Sequence, residues 1–291
     1  MSLLTKFNLA LTAVFGLALV PAGWLTHGLL QGSARTQVIE NARIMMETAL
    51  AVRTYTIQQV QPLLAPQLDA TFLPQSVPAY SATEIFAALR KSKPEYSYKE
   101  ATLNPTNPRN RTVDWEADVV QAFRNDETRT EIVGERETPQ GRTLFLSHPI
   151  RVKDPKCLSC HTSPELAPAS LVKAYGPSNG YGWKLGEVIG AQIVSVPTSL
   201  PVKMADRAFG ALLLTLAGVF ALTLLILNVL LRFVVIRPLH RLSEMADRVS
   251  LGEMEAPEVK VGGRDEVAQL AASFGRMRIS LRKALAMLEQ E

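Results

Sequence analysis

The amino-acid sequence predicts an α+β domain between two transmembrane helices, followed by an α-helical coiled-coil bundle. Three observations support this prediction: two long apolar runs without charge, a mixture of helix-like and strand-like patterns between them, and two amphipathic segments after the second run. The 291-residue chain has a formal net charge of +4, and its acidic and basic residues are interspersed. Composition therefore gives no indication of nucleic-acid binding.

The two apolar runs predict segments that span a lipid bilayer. Phe7 to Leu25 is longer than the apolar region of a cleaved signal peptide, so we interpret it as an uncleaved anchor, with a signal peptide as the alternative. Ala208 to Leu231 carries no charge and would form roughly 36 Å of helix, which is enough to cross a bilayer.

Basic residues beside these runs predict the orientation of the chain. Lys6 precedes the first run, and Arg232, Arg237 and Arg241 follow the second, so the positive-inside rule places both termini in the cytoplasm. The expected protein lies in the cell inner membrane with two spans. Its predicted order is a cytoplasmic N-terminus (residues 1–6), a first span (7–25), a periplasmic domain (26–207), a second span (208–231) and a cytoplasmic domain (232–291).

One pentapeptide carries the clearest chemical signal in the chain. Cys157-Leu158-Ser159-Cys160-His161 matches the C-x-x-C-H sequence at which c-type haem is attached. The two thiols can form thioethers with the porphyrin vinyl groups, and the adjacent imidazole can bind the iron. We therefore predict one covalently attached haem c, bound by Cys157, Cys160 and His161, with His161 as an iron ligand.

A disulfide and a metal site remain the alternative interpretations of this motif. Cys157 and Cys160 are the only cysteines in the chain, whereas a structural zinc site needs four ligands. The other histidines are His27, His148 and His240. A thioredoxin-like pair would begin a helix, but the flanking Lys153–Lys156 and Thr162–Pro164 are typical of a loop.

The segment after the second span predicts two amphipathic helices. The first begins near Pro238 and ends at Gly252, and a connector from Ala256 to Gly263 leads to Asp265, the expected N-cap of the second. Apolar residues alternate at spacings of three and four, which is typical of a coiled coil, although a hairpin packed on itself is the alternative. These residues are Val235, Leu239, Leu242, Ala246 and Val249 in the first helix, and Val267, Leu270, Phe274, Met277, Leu281, Ala284 and Leu288 in the second.

This arrangement resembles a HAMP linker domain. The resemblance rests on Pro238 soon after a span, on Gly252, and on Arg264-Asp265-Glu266-Val267. It implies a homodimer with a parallel four-helix bundle that relays motion from a membrane span to an output module. Because the chain ends at Glu291, we expect a separate cytoplasmic signalling partner, with a remnant of a longer sensor as the alternative.

Between the spans, the sequence predicts helices around an antiparallel sheet, as in PAS-like α+β folds. A long helix is expected from Ser33 to Val60, where Pro62 and Pro66 end it. Shorter helices are expected at Ala82–Arg90 and Val113–Arg124. Strands are expected at Tyr96–Leu103, Thr130–Arg136, Thr143–Val152 and Val188–Val196, with a turn at Pro139–Gly141.

Most of Ala42 to Pro201 also resembles the PAS-like sensory domains that bind one c-type haem. The motifs that carry this resemblance are Arg53-Thr54-Tyr55-Thr56, Tyr96 to Arg111, Gly134-Glu135-Arg136, Pro149-Ile150, Gly182-Trp183 and Gly190-Ala191-Gln192. The resemblance implies a haem pocket between the sheet and the long helix. It also implies sensing of redox state or of a small diatomic ligand, so we expect no enzymatic activity.

Several side chains are candidates for binding the haem. Because the family packs its long helix over the haem, Met46, on the same face as Arg53, is the first candidate for a second iron ligand. Met45, His148 or no second ligand are the alternatives. Arginines that could pair with the haem propionates are Arg53, Arg109, Arg111 and Arg151. Aromatic residues that could line the pocket are Tyr55, Trp115 and Trp183.

Two functions from different classes follow from these features. The first is a membrane-bound sensor that relays a change at the haem through the HAMP-like helices. The second is a membrane-anchored monohaem c electron-transfer protein, in which the cytoplasmic helices only form a dimer. The HAMP-like segment favours the sensor, because an electron carrier needs no relay inside the cell.

Overall fold

The computed structural model describes residues 1–139, 141–253 and 262–288 and divides the chain into two compact units. One unit comprises Thr26–Phe209, and the other comprises Met1–Leu25 with Gly210–Glu291. Most of the predicted connector from Ala256 to Gly263 lies outside the described residues. So do Gln140 in the predicted turn and the side chain of Leu288 in the predicted seam.

A long N-terminal helix, as predicted, leads into the Thr26–Phe209 unit. Helix α1 covers Leu3–Tyr55 and is extended by a π-helical segment, Thr56–Val60, and by the short helix α2, Gln61–Leu64. The helical path thus continues past Pro62, where we expected it to end. Pro62 lies in the first turn of α2, where a missing backbone N–H breaks no helical hydrogen bond.

The predicted strands form one antiparallel sheet, so an α+β fold with a long N-terminal helix is confirmed. In chain order, the elements are α3 (Pro78–Ser92), β1 (Ser97–Thr102), α4 (Asp114–Asn125), β2 (Ile132–Thr138), β3 (Gly141–Arg151), α5 (Leu158–His161), α6 (Ala169–Tyr175) and β4 (Val188–Pro197). The sheet has the strand order β1-β4-β3-β2, and every neighbouring pair is antiparallel. Strand β1 is therefore an edge strand.

Helices pack on both faces of this sheet. On one face, α1 and α3 bury a cluster that includes Met46, Phe86 and Leu144. On the other face, α4 buries a second cluster that includes Phe123 and Ile193. Alternate side chains of β1 point to opposite faces, so Tyr98, Glu100 and Thr102 lie on the α1 side.

The second unit contains the candidate membrane spans. Two helical stretches, Leu3–Gln67 and Ser199–Ser250, contain windows long and apolar enough to cross a membrane. The second of these includes α7, Ser199–Leu230. Asn8 and Asn228 exchange side-chain hydrogen bonds of 3.0 and 2.9 Å. Such amide pairs stabilise helix association between apolar segments, because an unpaired amide would be costly there.

Two amphipathic helices follow α7, as the sequence predicted. A π-helical segment, Leu231–Ile236, leads into α8, Arg237–Ser250, and α9 covers Glu266–Leu288. The apolar contact between α8 and α9 is formed by Leu242, Met245, Val249 and Ala271, with Val267 and Phe274 packed against them. Met245 takes the buried position that we had expected for Ala246, which is only half-buried.

Candidate functional site

An open cleft in the Thr26–Phe209 unit brings the predicted motif together with the end of α1. The cavity has a volume of about 290 Å³, and its walls include Cys157, Cys160 and His161. Apolar and aromatic side chains form much of the remaining wall; they include Ile57, Phe72, Ile150, Leu171, Tyr175 and Ile189. A cleft whose exposed wall is mostly apolar and that also carries polar and charged groups is typical of a small-molecule or cofactor site.

The His161 ring is held in a defined orientation. Its Nδ1 atom lies 2.7 Å from the carbonyl oxygen of Gly180, and its ring stacks on Trp183 with centroids 3.7 Å apart. Burial lowers the pKa of His161, while the hydrogen bond to Gly180 opposes this effect. A neutral ring that donates through Nδ1 leaves the Nε2 lone pair free, so Nε2 can bind a metal.

The loop that carries Gly180 is fixed by a close approach of two backbones. Gly180 has a φ of +87°, and a Cβ atom at this position would lie 2.8 Å from the Cα atom of Thr106. Only glycine fits both conditions. The hydroxyl of Thr106 is buried without a hydrogen-bond partner among the described residues, and Thr106 also lines the cleft.

The motif itself forms a helical turn, and most of the flanking residues that we predicted to be loop lie outside helices and strands. Asp154 caps a 3₁₀ turn by accepting a 2.8 Å hydrogen bond from the backbone N–H of Lys156, and α5 follows directly. This turn places Cys157, Cys160 and His161 on the wall of one cleft. Both cysteines are free thiols. Burial raises the pKa of the Cys157 thiol, the charge of Asp154 adds to this, and Arg53 opposes it.

A buried ionic network lies beside the motif. Arg53 Nη1 contacts both carboxylate oxygens of Glu100 at 2.5 Å, and Glu100 is only 3% exposed. The Tyr98 hydroxyl donates to Glu100 at 2.7 Å and accepts from Gln192 at 3.1 Å. Burial is the largest single effect on the pKa of Arg53 and lowers it, but the charge and hydrogen bond of Glu100, together with Tyr98, raise this pKa overall. The network thus fixes the end of α1 to β1 and β4.

The structure brings some of the predicted site residues to the cleft and leaves others elsewhere. Arg53, Arg109, Arg151 and Trp183 line the cleft together with the motif. Tyr55 is 62% exposed and does not line it. The predicted candidates located elsewhere are Met45 and Met46 in the core under α1, Arg111 after the β1 loop, Trp115 against Phe145, and His148 on β3, where its Nε2 lies 3.4 Å from Glu131.

Met46 has a clear structural role in this fold. Its side chain is fully buried among α1, α3 and the sheet, and it does not line the cleft. Iron ligation by Met46 therefore stays a prediction that this packing does not support.

Truncation of Met46 is expected to destabilise the protein without a specific effect at the cleft. Met46→Ala should lower the free energy of unfolding by about 2–5 kcal/mol, because it opens a cavity in the core. Met46→Leu conserves volume and should cost less than about 1.5 kcal/mol. Denaturant unfolding of the full-length protein measures both values. The matched control is Ile44→Ala at the exposed neighbouring position, which should change stability by no more than about 0.5 kcal/mol. Loss of a methionine-to-iron absorption band in Met46→Leu would instead identify Met46 as a ligand.

Sequence reasoning did not identify three of the residues that shape the cleft. Glu100 could have been identified from the sequence, since it is a charged residue on the inward-facing side of β1 between Tyr98 and Thr102. The contact between Gly180 and Thr106 joins two distant loops, and no local pattern indicates it. Among residues 1–139, 141–253 and 262–288, no group of three or more His, Cys, Asp or Glu side chains could hold a metal ion.

Comparison with known proteins identifies two segments of the chain. A family model described as Tll0287-like matches residues 31–197, and a HAMP domain model matches residues 230–283. The chain is also similar to a solved structure, "Crystal structure of the cyanobacterial heme-protein Tll0287", at 14% sequence identity and a TM-score of 0.41. That match covers 55% of this chain and 94% of the other. No curated protein matches.

Proposed function

Because the chain belongs to the Tll0287-like family and carries a HAMP domain after that segment, we propose that it is a membrane-bound haem c sensor. Cys157 and Cys160 would bind the porphyrin covalently, and His161 would bind the iron. When bound, the haem iron would change its oxidation state or take up a small diatomic ligand. The observation that carries this proposal is the position of all three motif residues on one cleft wall, with the His161 ring already oriented.

The residues of the cleft fit a haem in three respects. The two thiols are free, and both are half-buried at the wall of the cleft. His161 donates its Nδ1 proton to a backbone carbonyl, which leaves Nε2 for a metal. Arg151, whose ion pair with the exposed Glu127 is long at 3.9 Å, supplies positive charge for carboxylates, and the unpartnered Thr106 hydroxyl supplies a further hydrogen-bonding group.

The location in a membrane is also part of the proposal. Residues 7–25 and 208–231 would be the two spans, residues 26–207 the periplasmic domain, and residues 1–6 and 232–291 the cytoplasmic parts. The support comes from the two apolar helices, from the basic residues that flank them, and from the attachment of haem c outside the bacterial cytoplasm.

A change at the cleft would be transmitted along the two helices that continue from the Tll0287-like segment into the candidate spans. Arg53, near the end of α1, is paired with Glu100, and both residues line the cleft. A change at the cleft would therefore act on a side chain of α1. α7 begins two residues after β4 ends and leads through a π-helical segment into α8. A small shift at the cleft would bias the HAMP helices between two arrangements.

The HAMP helices would act as a homodimer. In the single chain, Leu270, Met277 and Leu281 are between 44% and 50% exposed, although they lie on the predicted apolar seam of α9. An apolar seam of this kind is buried when helices of a second copy pack against it. A separate cytoplasmic partner would then read the state of the dimer.

Chemical cross-linking along this seam tests the proposed function. Leu270→Cys and Met277→Cys variants of the full-length protein, each in membranes, would be treated with a bismaleimide after oxidation, after reduction, and after reduction with CO or NO. We expect the cross-linked fraction to differ between at least two of these states. The bismaleimide is chosen because reductants do not cleave its product.

Two comparisons make the result specific. Ala272→Cys, on the side of α9 opposite the predicted seam, should cross-link poorly in every state. A His161→Ala variant carrying Met277→Cys should lose the dependence on the state of the haem. Identical cross-linking of the seam in all states would contradict signalling and would favour the membrane-anchored electron carrier.

A further inference from the structure

A second cavity lies at the edge of the sheet, mainly on the face that α4 covers. Its volume is about 290 Å³, and its floor includes Ser97 and Lys99 on β1 with Ser195 on β4. It extends around the β1 edge to Arg90 on α3 and to Arg109. None of Cys157, Cys160 and His161 lines it. The cavity is therefore separate from the wall that carries the motif.

The wall of this cavity is strongly basic. Its cationic members are Arg90, Lys99, Arg109 and Arg136, against the single carboxylate of Glu116. Lys99 is paired with Glu116 at 2.6 Å, and Arg109 is paired with Glu84 at 2.5 Å. Within the part of the chain that the structure describes, Arg90 and Arg136 have no ion-pair partner. Two guanidinium charges thus remain uncompensated beside one cavity.

Arg136 is held in place by an aromatic ring and not by a carboxylate. Its guanidinium carbon lies 4.3 Å from the centroid of the Trp115 ring, and that ring packs on Phe145 with centroids 5.1 Å apart. Stacking on a ring fixes the guanidinium plane but uses few of its N–H donors. The donors therefore remain available to an oxyanion, which a guanidinium binds in a bidentate manner.

Hydroxyl groups complete the floor between the arginines. Ser97 and Ser195 are direct neighbours in the β1–β4 register, and both line the cavity. We infer that this cavity binds a small anion with two or more negative charges on carboxylate or phosphate groups, with Arg136 and Arg90 as its principal ligands.

A bound anion would also adjoin the cleft. Arg109 and Asn110 line both cavities, so a ligand in the basic cavity shares a wall with the proposed haem site. The binding step itself does not depend on the haem, and it can be measured whether or not the proposed function holds.

Titration calorimetry of the full-length protein in detergent, at low ionic strength, tests the inference. The probes are citrate and inorganic phosphate, each used alone. We expect saturable binding of at least one probe, weakened about tenfold by Arg136→Gln, since a charge-assisted hydrogen bond contributes that much. Arg90 is exposed on α3, so Arg90→Gln should weaken binding without affecting the fold.

Control variants separate a specific site from general attraction to a basic protein. Arg142→Gln removes a charge from the exposed β2–β3 hairpin, where Arg142 pairs with Glu137, and should leave affinity within about twofold. Arg136→Lys keeps the charge but loses the bidentate geometry, so it should weaken binding less than Arg136→Gln. If only citrate shows saturable binding, the natural ligand carries carboxylate groups. If only phosphate does, the natural ligand carries phosphate groups. Absence of saturable binding to both, or an equal loss in Arg142→Gln, would overturn the inference.

Discussion

Replacement of both Cys157 and Cys160 by alanine is expected to abolish covalent haem attachment. Each thiol can supply one thioether, and these are the only cysteines in the chain. Denatured protein from a host competent for cytochrome maturation should then show neither porphyrin mass nor a pyridine haemochrome signal. The wild type should show one haem per chain. His161→Ala removes the Nε2 ligand, so it should change the iron coordination that the absorption spectrum reports.

His148→Ala is the matched control for the histidine. His148 is also partly buried in the same unit, but it lies on β3 beside Glu131 and away from the cleft. Haem content and spectrum should therefore stay at wild-type levels. Full haem content in the double cysteine variant would contradict the proposed attachment, and so would an equal loss in His148→Ala.

Glu100→Ala is expected to lower the free energy of unfolding by about 3 kcal/mol. The substitution leaves the Arg53 guanidinium, which is 23% exposed, without its counter-ion, and leaves the Tyr98 hydroxyl without its acceptor. Breaking a buried ion pair typically costs about 3–5 kcal/mol, and the partial exposure of Arg53 places this case at the lower end. Urea denaturation of the full-length protein, followed by tryptophan fluorescence, measures the change.

A more exposed ion pair, which also joins an arginine of α1 to a glutamate outside this helix, provides the comparison for Glu100. Glu131 pairs with Arg43 at 3.1 Å, and both side chains are accessible to solvent. Glu131→Ala should cost less than about 1 kcal/mol, because water and salt screen an exposed pair. If Glu100→Ala and Glu131→Ala destabilised the protein equally, the Arg53–Glu100 pair would not be the fixed link between α1 and the sheet.

Apolar patterns predicted most of the secondary structure because helices α3 and α4 each bury one face, and because the central strand β4, buried on both faces, is a nearly continuous apolar run. The four strands and the helices α3 and α4 were found near their predicted positions for this reason. Helices α5 and α6 were not predicted, since α5 is a single turn and α6 little longer. The turn at the motif depends on capping by Asp154, a local hydrogen bond that apolar periodicity does not report.

The positions along and around α1 explain which candidate residues reach the cleft. Met46 and Arg53 share a face, as predicted, but seven residues separate them by about 10 Å along the axis. Met46 therefore packs in the core, while Arg53 reaches the cleft. Tyr55 follows Arg53 by two residues, a rotation of about 200°, and this directs it outward. Helical periodicity in the sequence shows on which side of the helix a residue lies. It does not show at which residue along the helix the cleft begins.

Hybrid receptors made by splicing this chain to another signalling protein should keep Leu231–Ile236 whole. The π-helical turn in this segment sets the angular phase of α8 relative to α7. Each residue turns an α-helix by about 100°, so a splice that gains or loses one residue would aim Leu242, Met245 and Val249 away from α9. Such a hybrid would give no output signal, or an output of the opposite sign, even though both of its halves were folded correctly.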